Sequence, residues 1–454
     1  MYDDENLDVR VPVSKDSFSI TRDDDKCILC GSCRSTCKYS QGVYGYYDIQ
    51  REEVCIDCGQ CSNVCPTSAI TEVMDYVKVK KLLKNKDKIV IFQTAPAIRV
   101  SLGEEFGLEK GSFVQGKLVS LLKKLGASYV FDTAFGADLT IMEEANELVY
   151  RLQNDVVLPM FTSCCPAWVK FAETFYPKYI PNLSSCKSPI LMEGAIIKSY
   201  FALKTGIDPL DIISVAVTPC TAKKAEIKRD EMIGASKYTG KDTRDIDYII
   251  TTRELARLAR EENIDFNSLE DCEYDSILGE ASGAGVIFGT TGGVMEASIR
   301  TAHFYITGKP LEKIDFVEVR GFDGIKEANV RIGDYELSLA VVTGTANAHK
   351  FFELLESSNK HYDFVEFMAC IGGCIAGGGQ PKFESEYDNS TLKSRSNGLY
   401  NIDSNLKKRN SYENGEIKAL YDTFLKEAGS EVAETLLHTT YKSRCTLLKE
   451  EACK

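Results

Sequence analysis

The sequence predicts an α/β protein, with parallel sheets flanked by helices, preceded by a small α+β domain. Three observations predict it. From about residue 88 onward, short apolar runs alternate with helical stretches, as parallel sheets with crossover helices require. Two cysteine motifs follow directly on predicted strands, and ligands in α/β sheets bind beyond the carboxyl ends of strands. Ahead of these, residues 27–65 hold eight cysteines in two runs of the same spacing.

The 454 residues are enough for two or three domains with cores of their own. A hydrophobic share of 44% and a charged share of 27% are ordinary for a globular protein. No apolar run approaches the length of a membrane span. The acidic start, Met1-Tyr-Asp-Asp-Glu-Asn6, lacks the shape of a signal peptide, so the expected compartment is the cytoplasm. Seventeen cysteines in such a chain argue for metal rather than a disulfide scaffold. A net charge of −13 disfavours nucleic acid as a partner. The local run Lys78, Lys80, Lys81, Lys84, Lys86 and Lys88 reads as a solvated helix face between two domains, with docking as the alternative. The four histidines, His303, His349, His361 and His438, all fall outside the cysteine motifs. Proton chemistry near the cysteines is therefore expected to fall to Cys, Glu or Lys.

Residues 1–20 carry no motif, and alternation at 11–13 and 18–20 suits short strands or a poorly structured leader equally. Then come Cys27-x2-Cys30-x2-Cys33-x3-Cys37 and Cys55-x2-Cys58-x2-Cys61-x3-Cys65-Pro66, the spacing of a bacterial two-cluster ferredoxin. In that arrangement the fourth cysteine of each run ligates the other cluster. Cys27, Cys30, Cys33 and Cys65 are thus expected to hold one [4Fe–4S] cluster, and Cys37, Cys55, Cys58 and Cys61 the second. Two zinc sites are the competing reading, disfavoured by eight cysteines at this spacing with Gly31 and Gly59 in the loops. The first run lacks the proline after Cys37.

Residues 70–90 are lysine-rich and helical in pattern, and 88–96 reads as a buried strand ending in a turn. Further strands are expected at 127–131, 156–161, 212–217, 247–251, 285–288 and 339–342, with helices such as 143–153 and 252–262 between them. The 156–161 strand runs into Cys164 and Cys165, and the 212–217 strand into Cys220. From Glu384 the chain turns polar, and helices resume around 417–428 and 430–437.

The densest chemistry lies at Glu366-Phe-Met-Ala-Cys370-Ile-Gly-Gly-Cys374-Ile-Ala-Gly-Gly-Gly-Gln-Pro381. Glycines let the backbone press against a bulky inorganic group, and thiolates are soft ligands. Upstream stand Thr162-Ser-Cys164-Cys165-Pro-Ala-Trp168 and Thr218-Pro-Cys220-Thr-Ala-Lys223-Lys224-Ala-Glu226. These three motifs, in this order, resemble the signatures of the [FeFe]-hydrogenases, over about residues 20–445, and His438-Thr-Thr-Tyr441 resembles that family's closing segment. The residues alone stop at one further iron–sulfur cluster. The resemblance implies more. It implies two α/β lobes enclosing a buried cofactor, so that residues 1–20 form a leader, 21–80 a ferredoxin-like domain, 81–445 the catalytic domain and 446–454 a tail. It implies that Cys165, Cys220, Cys370 and Cys374 hold a [4Fe–4S] cubane, with Cys374 bridging to a di-iron subsite bearing CO, cyanide and an azadithiolate, the whole being the H-cluster.

The resemblance also assigns roles. Cys164 matches the family's proton-transfer thiol, against the plain reading of a small buried residue. Glu144, Glu147 and Arg151 share one helix face, and with Ser184 they give the order Cys164, Glu144, Ser184, Glu147, Arg151, solvent. Spacing alone favours an exposed acidic helix with an i,i+4 ion pair. Lys223 would donate to a cyanide ligand and Glu226 would orient its loop. Ala95 and Pro96 match the strand end that faces the di-iron ligands, and Phe288 and Met368 would wall the pocket. Ala97, Ile190 and Thr218 depart from the serine, glutamine and methionine usual at three pocket positions. Cys186, Cys272, Cys445 and Cys453 belong to no motif, and Cys186 is expected to be a packing residue.

The implied activity is 2H+ + 2e− ⇌ H2, with electrons exchanged through two ferredoxin-type clusters with a ferredoxin or flavodoxin. The implied partners include maturation proteins for the di-iron subsite, and the expected state is a monomer. Two rival classes are an iron–sulfur assembly protein without the di-iron subsite and an H2 sensor. Intact Cys164, Lys223, Glu226 and Cys374 argue against the first, and the short stretch after residue 385 against the second. No Gly-rich dinucleotide turn follows a strand, so a flavin- or NAD-linked subunit is unsupported.

Overall fold

A computed structural model describes residues 9–47, 54–154, 156–313, 315–358, 360–383, 388–445 and 448. The expectations for residues 1–6, for 384–387 and for Cys453 lie outside the described residues. Two short strands, β1 (Ile20–Arg22) and β2 (Ile70–Glu72), pair antiparallel and bracket the eight N-terminal cysteines. The following strands are β3 (Ile89–Thr94), β4 (Tyr129–Asp132), β5 (Met160–Phe161), β6 (Ile212–Thr218), β7 (Tyr248–Thr251), β8 (Ile325–Ile332), β9 (Tyr335–Thr343) and β10 (Phe364–Met368). They form two four-stranded sheets, in the orders β4-β3-β6-β7 and β5-β10-β9-β8. The first is wholly parallel. Its strands β3 and β6 are apolar, rich in β-branched residues and buried on both faces, as a sheet covered by helices demands.

The second sheet corrects the expectation of parallel pairing throughout. β8 runs antiparallel to β9, joined at a turn with Gly333 at φ 58°. β8 and β10 were not foreseen, and their sequences explain why. β8 alternates exposed charge with half-buried residues, as an edge strand does. β10 carries Glu366 in an otherwise apolar, fully buried run. Glu366 is tolerated there because it accepts the Gly292 and Met295 amides (2.7 and 2.8 Å) at the start of the Gly293–Thr307 helix. The segment 285–288, expected as a strand, belongs to the helix Gly283–Ile287. Ser282 caps that helix by accepting from Gly285 N. Gly285 lies so close to the Ala134 carbonyl that a Cβ would sit 2.3 Å from its oxygen. Residues 11–13 form no strand, and the polar stretch after 388 is a helix, Asn389–Asn405, capped by Asp388.

One helix ties the two sheets together. Thr133–Gln153 begins ten residues before the expected 143–153 segment. Its first half, through Phe135 and Leu139, packs in the core under β3 and β4 with Ile91 and Phe131. Its second half, through Ala145 and Leu148, packs with Met160, Leu339 and Val341 of the other sheet. The lysine run 78–88 is a paired surface: Lys80 meets Glu261 and Glu262, and Lys88 meets Asp211. No described helix is long and apolar enough to cross a membrane.

The N-terminal unit is fastened at Arg253, in the Thr252–Glu261 helix after β7. Its guanidinium bonds Glu72 of β2 at 2.6 Å, Asn63 Oδ1 at 2.7 Å and the carbonyls of Gly378 and Gln380 at 2.6 and 2.7 Å. Burial alone would push the Glu72 carboxyl up, but Arg253 overrides it and holds the group below its ordinary range. Removing one partner of such a pair strands a buried charge. Arg253→Met is therefore expected to cost about 3–5 kcal/mol in denaturant unfolding at neutral pH. The deficit should shrink as acid protonates Glu72, and a variant as stable as the parent at neutral pH contradicts this role.

Candidate metal centre and proton relay

Four of the eight N-terminal cysteines, drawn from both runs, meet at one place. A small cavity is lined by Cys27, Cys30, Cys33 and Cys65 together. Cys37 lies near Cys55 and Cys33, and Cys58 near Cys61, Cys55 and Cys37. Backbone amides point at the sulfurs: Val11 N on Cys33 Sγ (3.4 Å), Ile70 N on Cys65 Sγ (3.5 Å) and Asp57 N on Cys55 Sγ (3.3 Å). Gly31 and Gly59 hold φ of 76° and 70°, which a side chain would strain. The first group reaches the surface at Cys30, beside Ile28 and Leu29, which are 63% and 57% exposed. The second faces inward, with Cys58 and Cys61 buried.

Each remaining cysteine donor stands just past a strand end. Cys165 follows β5 and caps the Pro166–Phe175 helix, Cys220 follows β6, and Cys370 follows β10. The loop from Cys370 to Cys374 turns back through Gly372 and Gly373, both left-handed at φ 90° and 84°. Cys370 and Cys374 both face Cys165 and Cys220. Burial pushes all four thiols up, Cys220 to about 12, so the metal-free sulfurs are neutral. Four convergent thiols in a dry site form the donor set of a [4Fe–4S] cubane, and the residues present fit that group.

The inward-facing N-terminal loop interlocks with this site. Gln60 Nε2 bonds Cys370 Sγ at 3.2 Å and the Ala376 carbonyl at 2.8 Å. Thr221 Oγ1 donates to the Asp57 carbonyl at 2.7 Å. A Cβ at Gly378 would stand 2.2 Å from the Cys58 carbonyl oxygen.

Beside the four thiols lies a cavity of about 70 Å³. Cys164, Cys165, Cys220, Cys374 and Lys223 reach it, and Ala95, Pro96, Ala97, Ile190, Thr218, Phe288 and Met368 are among the residues that line it. All the pocket positions expected from the sequence thus meet in one place. Lys223 Nζ donates to the Cys164 carbonyl (3.0 Å) and lies 3.0 Å from Glu226 Oε2. Ala97 and Ile190 leave that wall apolar. Thr218 adds no polarity, because its hydroxyl donates to the Cys220 carbonyl at 3.0 Å.

The relay residues also converge. Glu144 is fully buried, and burial followed by Glu147 pushes its carboxyl up to about 8. Ser298 Oγ donates to Glu144 Oε2 at 3.3 Å. Ser184 Oγ donates to Glu147 Oε2 at 2.8 Å, and Arg151 Nη2 stands 2.6 Å from Glu147 Oε1. Burial, with Glu144 adding to it, drives the Cys164 thiol well above its ordinary value and keeps it protonated. Gln60, Ser298, Ser185 and His438 were missed. Gln60 alone left a trace, standing between two cluster cysteines, while the others meet the relay only through folding. Cys186 packs in the core as expected.

Residues 88–378 match the family described as "Iron only hydrogenase large subunit, C-terminal domain", residues 389–444 "Iron hydrogenase small subunit", and residues 49–71 "4Fe-4S binding domain". Iron hydrogenase 1 of Clostridium pasteurianum is 43% identical over 95% of this chain and 77% of its own length. A solved variant of the [FeFe]-hydrogenase HydA1 from Chlamydomonas reinhardtii superposes with a TM-score of 0.72 at 40% identity, covering 82% of this chain and 99% of that one. Cytosolic iron-sulfur assembly component 3 of Bos taurus is more distant, at 31% identity over 80% of this chain and 76% of its own length.

The close approach at Gly378 gives a test of the interlock. A methyl group there meets backbone, which cannot swing aside, so Gly378→Ala is expected to lower iron and acid-labile sulfide per chain. Full iron occupancy in the variant contradicts the interlock.

Proposed function

The chain belongs to the iron-only ([FeFe]) hydrogenase family, and from that premise we propose how its own residues interconvert protons, electrons and H2. The observation that carries the reading is the cavity that Cys374 shares with Cys164 and Lys223, beside four thiols. Cys165, Cys220, Cys370 and Cys374 would hold the cubane, and Cys374, which alone of the last loop's cysteines also lines the cavity, would join it to the di-iron subsite. When bound, that group supplies the redox-active iron at which protons and electrons become H2. Lys223 keeps a positive charge at the cavity, balanced by Glu226. The Cys164 thiol, protonated at rest, gives and receives the proton at the cavity. Glu144, poised near neutrality, exchanges it inward and outward. Ser184 passes it to Glu147.

Electrons enter through the N-terminal unit. In the ferredoxin-like unit (21–80), Cys27, Cys30, Cys33 and Cys65 would hold one [4Fe–4S] cluster, and Cys37, Cys55, Cys58 and Cys61 another, which would supply electron-transfer chemistry. The exposed Ile28–Leu29 edge would receive a ferredoxin or flavodoxin, and Gln60, bonded to Cys370, would link this unit to the catalytic unit (81–445). A reducing cytoplasm and dedicated maturation proteins suit so many iron ligands. An assembly protein without the di-iron subsite needs no proton path, so the aligned relay disfavours that reading.

Two measurements test this. Cys164→Ser should cut H2 turnover by about 10²-fold or more, with iron content and the CO and cyanide infrared bands unchanged; undiminished turnover sinks the relay. Gln60→Leu removes a hydrogen bond that favours the reduced, more negative cubane, so its reduction potential should fall in an electron-spin-resonance redox titration. An unchanged potential contradicts the electronic role of Gln60.

A further inference from the structure

We propose that His438, reached through Ser185, is the outer proton-exchange group of the relay, and that Arg151 seals its end. The inference rests on the relay reading given above. Arg151 stands last in the sequence-derived order, yet a guanidinium does not release its proton in a protein. Its N–H groups are also engaged. Nε and Nη2 bond Glu147 Oε1 at 3.1 and 2.6 Å, and Nη2 also bonds the Leu183 carbonyl at 3.0 Å. Nη1 bonds the carbonyls of Val157, Pro181 and Asn182 at 3.1, 3.3 and 3.4 Å. So held, Arg151 fixes Glu147 and pins the loop before Ser184, and takes no proton.

Glu147 has another outlet. Its Oε2 receives Ser184 Oγ at 2.8 Å from the inner side and Ser185 Oγ at 3.3 Å from the outer side. Ser185 Oγ in turn lies 2.8 Å from His438 Nδ1. The other ring nitrogen, Nε2, is 3.2 Å from Glu143 Oε2, which also accepts the Gly429 amide at 2.8 Å. The Tyr421 hydroxyl donates to Glu143 Oε1 at 2.5 Å. The ring is therefore held at both nitrogens. It stands at the end of the Glu431–Leu437 helix, two residues before the exposed Thr440, with the ring itself 7% exposed.

Imidazole is the side chain whose ordinary pKa meets neutral pH. Around this ring stand Glu143 and Glu147 of the Thr133–Gln153 helix, Glu434 of its own helix, and the hydroxyls of Tyr421 and Ser185. Burial pulls its pKa down, and Glu143, followed by Glu434 and Glu147, more than restores it. The step is a double proton shift with no change in electrons. Imidazolium Nδ1–H passes to Ser185 Oγ as the Ser185 hydroxyl proton passes to Glu147 Oε2. His438, left neutral with its Nε2 proton toward Glu143, is recharged at Nδ1 by a proton from solvent. The reverse sequence discharges protons when H2 is oxidised.

The test uses the full-length holoenzyme with His438→Gln, His438→Ala, Ser185→Ala and Glu147→Gln. His438→Gln and Ser185→Ala are each expected to slow turnover about tenfold and to shift its pH profile, and added imidazole should restore much of the rate of His438→Ala. In protein carrying only its [4Fe–4S] clusters, pH-difference infrared spectra should show imidazole and carboxylate bands titrating together, and that coupling should vanish in His438→Gln. Parent-like rates and pH profiles in His438→Gln and Ser185→Ala, with Glu147→Gln impaired, overturn the His438 outlet alone. A parent-like Glu147→Gln overturns the relay reading itself. A slow His438→Ala that imidazole does not rescue, beside a parent-like Ser185→Ala, makes His438 structural and also overturns the proposal.

Discussion

Burial keeps this protein's inner cysteines in the thiol form unless a metal binds them. Cys165, Cys220, Cys370 and Cys374 are all driven toward the neutral thiol by burial, and the same holds for Cys58 and Cys61 of the N-terminal unit. Iron reverses that balance, because thiolate ligation replaces lost hydration with direct bonds. Folding and cluster binding are therefore linked. The strand ends supply the positions, the left-handed glycines 372 and 373 let the last loop turn back, and the close approach at Gly378 brings a second cysteine loop against it.

In the proposed reading, electrons and protons reach the site through different parts of the chain. The electron side is a set of loops from distant parts of the chain, locked by Arg253 and joined to the thiol cluster by Gln60. On the proton side, both relay carboxylates sit on one helix. Thr133–Gln153 packs on both sheets, so Glu144 and Glu147 are held where the two cores meet. A 21-residue helix anchored along its length gives these carboxylates little freedom to drift from the hydroxyls that link them.

Much of this was legible from one-dimensional pattern. The cysteine spacing was legible, and the cavity that gathers Cys27, Cys30, Cys33 and Cys65 draws on both runs as that spacing suggests. The strands β3 and β6 were legible because β-branched apolar runs buried on both faces have no other good conformation. β10 was not, because a buried Glu366 interrupts its apolar run and its compensation comes from amides some 70 residues away. The 285–288 segment read as a strand because an apolar run carries no period, and the Ser282 cap decided otherwise. Pocket membership was legible, yet the direction of the Thr218 hydroxyl was not. The Ser185–His438 contact joins residues 253 positions apart, and no periodicity could signal it.

The central claim is that the cavity beside Cys374 completes an H-cluster. The most direct measurement is infrared spectroscopy of the protein purified anaerobically after co-expression with hydrogenase maturation proteins. The account predicts CO and cyanide stretching bands on protein whose [4Fe–4S] clusters are intact. A spectrum without those bands, on protein with full cubane iron, would contradict it and leave a site built for iron–sulfur chemistry alone.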